Sequence, residues 1–239
     1  GGKAVEVPIY AAVSAAAVSE ATDLSNTAID PSSVTITAAE VGVMTTLTDL
    51  ARNAAPRNVA ADIGRLFGEA VAKKQDQDLI ALFDGFSTAV GDGTTAINAA
   101  AIFNALSTLR GNALNINDCA VVLHPKIAYD LKANLTNTFA NANANDLANE
   151  ALRSGFVGSL AGMRIFETSN MSNTGTTGDY KGGAFHRDAI ALAEMQGLKI
   201  ETQRDASLRA DEIVATAVYG VGEIHDTYGV ELHHDSSIQ

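Results

Sequence analysis

Apolar and polar positions alternate with period two at both ends of the chain and with the three-four spacing of a helix between them. Near the start, Val5, Val7 and Ile9 alternate with Glu6 and Pro8, which predicts a strand over residues 4–10. Residues 33–47 read as a second strand: Val34, Ile36 and Ala38 give way to Val41, Val43 and Leu47, so the phase flips near Glu40 as at a bulge or twist. Residues 14–31, polar and small, are too long for a tight hairpin turn. A two-stranded ribbon is marginal by itself in water, so this arm needs another surface to lie on. Nothing later in the chain offers an obvious one, and a neighbouring copy is the natural candidate.

Thr48 and Asp49 can cap a short turn through Ala54, and Pro56 suits the first turn of a long helix over residues 57–83. Its buried stripe is Val59, Ile63, Leu66/Phe67 and Ala70/Val71, and its length would be about 40 Å. Lys74 and Asp78, four apart, read as a helical ion pair rather than as a proton-handling pair, since such pairs are common on helices. After the breaker Gly91-Asp92-Gly93, Asn98 caps a helix that ends at Gly111, with Ile102, Leu106 and Leu109 on its apolar face. A strand over residues 119–123 follows, then His124-Pro125 opens a short helix through Leu131. Residues 134–149, rich in Asn and Ala, read as an exposed loop leading to a helix near 147–153. Residues 163–168 predict a strand and 173–183 a Gly/Thr loop, while 184–193 fit helix or strand equally. Long strands close the chain, with Leu198, Ile200 and Thr202 on one, Ile213, Ala215, Ala217, Tyr219 and Val221 on the other, and a turn over 205–210 between them.

Composition narrows what such a chain does. At 239 residues and 46% hydrophobic it can bury a sizeable core, but with 5% aromatics and no Trp that core is built from Ala, Val, Ile and Leu. No apolar run approaches the ~20 residues of a membrane span, and neither a signal peptide nor an anchor is read. A start at Gly1-Gly2 without Met suggests a segment lost by cleavage or truncation. The net charge of −12 has the wrong sign for gripping phosphate backbones; it reads as a surface that avoids polyanions or simply as a solvated one. Cys119, the single cysteine, excludes an intrachain disulfide and reads as a buried strand residue beside Ala120-Val121-Val122-Leu123.

The search for chemistry returns little. His124, His186, His225, His233 and His234 form no recognised metal spacing with Cys119 or a helical Glu. His124 reads as a helix cap, His225 beside Asp226 as surface polarity, and His233-His234 point opposite ways if extended. The segment 91–96 imitates a dinucleotide fingerprint without the βαβ unit it requires, and Gly85-Phe86-Ser87-Thr88-Ala89 lacks the second glycine of a nucleophile elbow. No catalytic, cofactor or metal residue is assigned.

Taken in order, several segments resemble the tailed-bacteriophage major capsid proteins of the Hong Kong ninety-seven type. They are Val18-Ser19-Glu20-Ala21-Thr22-Asp23-Leu24, Ser33-Val34-Thr35-Ile36-Thr37, Val41-Gly42-Val43 and Thr48-Asp49-Leu50, then His124-Pro125-Lys126, Ala161-Gly162-Met163-Arg164-Ile165-Phe166 and Phe185-His186-Arg187-Asp188-Ala189-Ile190. The resemblance implies an α+β fold with an extended β-hairpin E-loop at 1–47, a peripheral domain with its spine helix at 48–94, an α/β axial domain at 95–193, and long peripheral strands at 194–239. It makes Val18, Glu20, Asp23, Leu24 and Ile29 candidates for contact with an adjacent subunit, and Asn141, Asn143 and Asn145 candidates for the axial tip. It also implies self-assembly into hexamers and pentamers of an icosahedral head in the virion, built in the host cytoplasm. Scaffold, portal and decoration proteins would be partners, packaged double-stranded DNA would be touched only non-specifically, and no membrane or cofactor is expected. Some members weld their shells through an E-loop lysine joined to an asparagine, yet this chain has no lysine between Lys3 and Lys73. A non-covalent lattice is therefore expected.

Three other readings share some of these features. An encapsulin-like nanocompartment shell keeps the fold and changes the cargo. A hydrolase using His124 as base predicts activity lost in His124→Ala, but no nucleophile partners it. A secreted Ala/Thr-rich adhesin conflicts with the amphipathic helix of residues 57–83.

Overall fold

A computed structural model describes residues 2–10, 13–21, 23, 26, 28–54, 59–139, 159–160, 162–174 and 178–238. In chain order these form β1 (Ala4–Ile9), β2 (Ser32–Thr37), β3 (Ala39–Thr48), α1 (Asp49–Ala54), α2 (Val59–Ala81), β4 (Ala89–Val90), α3 (Ala99–Gly111), β5 (Cys119–Leu123), α4 (Pro125–Phe139), β6 (Ser159–Leu160), β7 (Met163–Glu167), β8 (Asp179–His186), β9 (Ile190–Asp205), β10 (Ala210–Glu223) and β11 (Gly229–Asp235). The strands make a two-stranded ribbon β1-β2, a three-stranded sheet β3-β10-β9 and a six-stranded sheet β4-β11-β8-β5-β7-β6.

The ribbon is antiparallel, pairing Val5 with Ile36 and Val7 with Val34. Its root closes where the Ala38 N–H donates to the Lys3 carbonyl at 2.7 Å. There the chain leaves one sheet for another. The single strand expected over residues 33–47 is two, and the phase flip near Glu40 marks this change of partner rather than a bulge. Residues 39–47, expected in the arm, instead lie along β10, with Val41 opposite Ala217 and Leu47 opposite Asp211.

On β10, Ile213, Ala215, Ala217 and Tyr219 are buried and face α2, whose Phe67 and Val71 close two small cores against them. Burying Ile213, Phe67 and Val71 contributes roughly 1.5–3 kcal/mol each. The helical stripe read from the sequence is correct at Phe67 and Val71, whereas Leu66, 53% exposed, and Ala70 face solvent. Helix α2 stops at Ala81 and a tight turn, Leu82–Gly85, turns Phe83 into the main core. The short ion pair of Lys74 with Asp78 forms as expected, and Asp78 also accepts from the Tyr219 hydroxyl at 2.8 Å. Burial and the Asp78 carboxylate push the Tyr219 phenol up to about 12.

The six-stranded sheet holds the largest core. Val121, Leu123, Met163 and Ile165 are buried in it with Ile102 and Leu109 of α3 and Ile127 and Leu131 of α4. Asn98 caps α3 as its position predicts, accepting the Ala101 N–H at 2.9 Å. Cys119 is buried, 2% exposed, at the head of β5.

Several expectations are overturned here. Helix α4 does not end near Leu131 but continues to Phe139 through residues read as loop, and within that stretch Asn134 accepts the N–H of Ala99 at the start of α3. The axial-tip candidates Asn141, Asn143 and Asn145, and the helix expected near 147–153, lie outside the described residues. Residues 179–183 are strand rather than loop, and 184–193 resolve as strand, turn and strand. Strand β9 begins at Ile190, well before Leu198. Residues 229–235, expected with the peripheral strands, form β11 inside the six-stranded sheet, paired with β8 and, in parallel, with β4. Gly229 permits this: a Cβ there would sit 2.1 Å from the Phe86 ring.

Candidate assembly surfaces

Among the described residues, the arm meets the body at its root. Ile36 is 2% exposed because it drops into a notch on β10 where Gly220 and Gly222 carry no side chain. A Cβ on Gly220 would lie 2.5 Å from the Thr37 carbonyl oxygen, and one on Gly222 would lie 2.8 Å from Ile36 Cγ1. Beyond that root the described arm is exposed, including Val5, Tyr10, Val13, Val18 and Ile29. Of the five candidates for subunit contact, Val18, Glu20, Asp23 and Ile29 are solvent-facing; Leu24 lies outside the described residues. From Ala4 to Ala51 the arm and β3 carry Glu6, Glu20, Asp23, Asp30, Glu40 and Asp49 and no Lys or Arg.

The far end of the three-stranded sheet is tied by charge. Arg204 on β9 donates two hydrogen bonds to Asp49 of α1, at 2.7 and 2.6 Å, and a third to Asp211 of β10 at 3.2 Å. Asp211 also takes a short contact from Arg52. The guanidinium bonds hold both carboxyls below the usual Asp range and push Arg204 higher still. Sequence reasoning missed this network, since its members lie 155 and 159 residues apart in sequence.

Most polar groups that invited a chemical reading have structural partners, although His234 Nε2 is buried without a hydrogen bond among the described residues. His124 accepts the Lys126 N–H through Nδ1 at 3.3 Å, the capping role expected, while its ring stacks on Tyr180 at 3.7 Å between centroids. Burial, helped by Lys126, pushes its pKa down. His225 is not freely solvated as expected: it is half-buried and stacked on Tyr228 at 4.5 Å. His233 and His234 do take opposite sides of β11, one meeting Asp179 at 2.7 Å and the other facing the Thr95 carbonyl at 3.3 Å. Lys181 is bound by Asp84 and by the buried Glu231 at 3.1 Å, and the Asp84 hydrogen bond leads in raising its pKa. It borders a cleft of about 180 Å³ beside Ile80, Asp84 and Asn170. Among the described residues no group of His, Cys, Asp and Glu is arranged to hold a metal, and no helix is long and apolar enough to cross a membrane.

The apolar side chains of the described arm left without intrachain cover include Val5, Tyr10, Val13, Val18 and Ile29. The family model described as phage capsid protein matches residues 31–230. A structure from Mycobacterium phage Che8 aligns with a TM-score of 0.76 and 26% identity, over 97% of this chain and 85% of that one. The capsid structure of Cyanophage P-SCSP1u aligns at 0.75 and 20% identity, over 99% and 85%. The acid-stable capsid of Helicobacter pylori bacteriophage KHP30 aligns at 0.75 and 13%, over 98% and 85%. No curated protein sequence matches.

Proposed function

Because this chain belongs to the phage capsid protein family and is a major capsid protein whose copies form an icosahedral virion shell, we propose that it works through an arm laid on an adjacent subunit, in hexamers and pentamers held without covalent bonds. The fold is of the Hong Kong ninety-seven type, α+β as expected. The observation that carries the proposal is an arm that, among the described residues, seats its root at Ile36 and Thr37, with Val5, Val13, Val18 and Ile29 exposed along its length. A ribbon of this size gains its stability from a surface, and in a shell of identical copies that surface is a neighbour's.

In this reading, Val18, Glu20, Asp23, Leu24 and Ile29 contact the neighbour. The unit centred on the six-stranded sheet gathers around each capsomer axis, with Asn141, Asn143 and Asn145 nearest it. The shell encloses double-stranded DNA, and the net charge of −12 keeps contact with that DNA weak and independent of sequence. Scaffold, portal and decoration proteins complete the assembly. An encapsulin-like compartment is the less favoured alternative, since the family matched is a phage one. Electron microscopy of the purified protein tests the reading: closed shells or six- and five-membered rings are expected, and a compact monomer persisting at high concentration would refute it.

A further inference from the structure

All five histidines lie in or beside the six-stranded sheet, and none stands on the arm, β3, α2, β9 or β10. Two of them share one aromatic ring. His234 of β11 stands directly opposite Tyr180 of β8, and His124 stacks on the Tyr180 ring at 3.7 Å between centroids, with the planes 4° apart. His234 and Tyr180 are buried, and His124 is half-buried. Hydrogen bonding gives each imidazole one nitrogen without a proton. His234 Nδ1 faces the Thr95 carbonyl at 3.3 Å, and a carbonyl only accepts, so Nδ1 holds the proton of the neutral ring. Nε2 is then a bare lone pair, buried without a partner among the described residues. His124 Nδ1 accepts the Lys126 N–H at the start of α4 and is bare for that reason.

We propose that His124, Tyr180 and His234 form an acid-sensitive latch, whose protonation frees residues 91–95 and the first turn of α4 from the six-stranded sheet while the three-stranded sheet stays closed. The latch belongs to the subunit and does not rest on the shell reading. Residues 91–95 are seated on β11 around His234. The Gly93 N–H donates to the His233 carbonyl at 3.0 Å, the Asp235 N–H donates to the Thr95 carbonyl at 3.1 Å, and a Cβ on Gly91 would lie 2.7 Å from His234 Cε1. A proton on His234 Nε2 puts a charge in a buried site that offers it no acceptor among the described residues. A proton on His124 Nδ1 sets two donors against each other, at the positive end of a fifteen-residue helix. Burial pushes both pKa values down, in agreement. Neighbouring charges do little to offset this. Asp92 favours a charge on His234 and His233 opposes it, while Lys126 opposes a charge on His124. Asp130 of α4 is held by Ser237, Lys132 pairs with Glu167 at 2.6 Å, and α3 brings Arg110 in its last turn. Asp179, Lys181, Glu231 and Asp235 alternate onto the opposite face of the sheet. The three-stranded sheet has no histidine to charge. Its carboxyls Asp49 and Asp211, held below the usual range by hydrogen bonds from Arg204 and Arg52, stay ionised in mild acid.

Hydrogen exchange on the purified chain between pH 7.5 and 5.5, corrected for the intrinsic pH dependence of amide exchange, tests this. An imidazole that takes its proton only on opening makes opening about tenfold easier for each pH unit below about 6.5. The amides of Gly93 and Asp235, which report on His234, and of Lys126, which reports on His124, should lose at least about tenfold in protection. Those of β10 should keep theirs. His234→Gln should hold Gly93 and Asp235 closed in acid and His124→Asn should hold Lys126, whereas His225→Gln should leave the acid response intact. Ring-proton NMR of the unsubstituted protein decides the matter even where a variant folds poorly: the His124 and His234 midpoints are expected below about 6.5. Midpoints at or above that value would overturn the latch. So would pH-independent exchange at the three reporting amides, or an acid response that survives both substitutions. Opening of β10 in parallel with them would mark a global acid transition and overturn a local latch.

Discussion

Ala113 holds a left-handed backbone, φ 59, that an L side chain resists. It follows α3, where the Ala113 N–H donates to the Arg110 carbonyl at 2.9 Å and the Leu114 N–H to the Leu109 carbonyl at 3.2 Å. That is the two-bond helix stop in which glycine is the preferred third party. Ala113→Gly should therefore stabilise the subunit by roughly 0.5–1 kcal/mol, read as a higher denaturant midpoint at unchanged slope. The histidines make a second prediction. Burial pushes the pKa values of His234 and His124 down. The unfolded chain binds protons at these sites more readily, so stability rises with pH. Their contribution is complete above about pH 6.5 and is lost as the pH falls from there toward the lower folded values. The melting temperature should drop between about pH 7.5 and 5.5, and His234→Gln should flatten that slope.

At the scale of elements, the attachment of the arm depends on two absent side chains. Gly220→Val places a methyl group against the Thr37 backbone, which has no flexible end to give way. The root of the ribbon must lift and Ile36 must leave its notch. The variant should melt several degrees lower, by the lost burial of Ile36, while limited proteolysis of the arm accelerates at least about tenfold and the remaining cores keep the body folded. Elements with internal periodicity were legible in advance. The stripe of α2 and the alternation of β10 state which face is buried, and Asn98 announces the start of α3. Elements stabilised from outside were not. Glu231 and His234 make β11 look like surface, yet they are buried because Lys181 and Thr95 meet them from other parts of the sequence. The Asn-rich end of α4 has no helical pattern, and Asn134 is held by α3.

For the whole molecule, the lysine count bears on how the shell is joined. No lysine occurs between Lys3 and Lys73, so the described ribbon and its loop offer no ε-amino group for an isopeptide bond. Mature shells boiled in detergent should run at monomer mass, and a ladder of heat-stable oligomers would show that another lysine forms the weld. The order of arm, long helix, mixed segment and terminal strands, the acidic charge and the buried Cys119 were determined by the sequence alone, because periodicity and composition are local properties read residue by residue. The switch of partner at Ala38, the Arg204 network, the recruitment of β11 and the uncovered edge of β9 were decided only by the tertiary structure. Each depends on which distant segment arrives, or fails to arrive, beside a strand, and side-chain period within a segment carries no information about that.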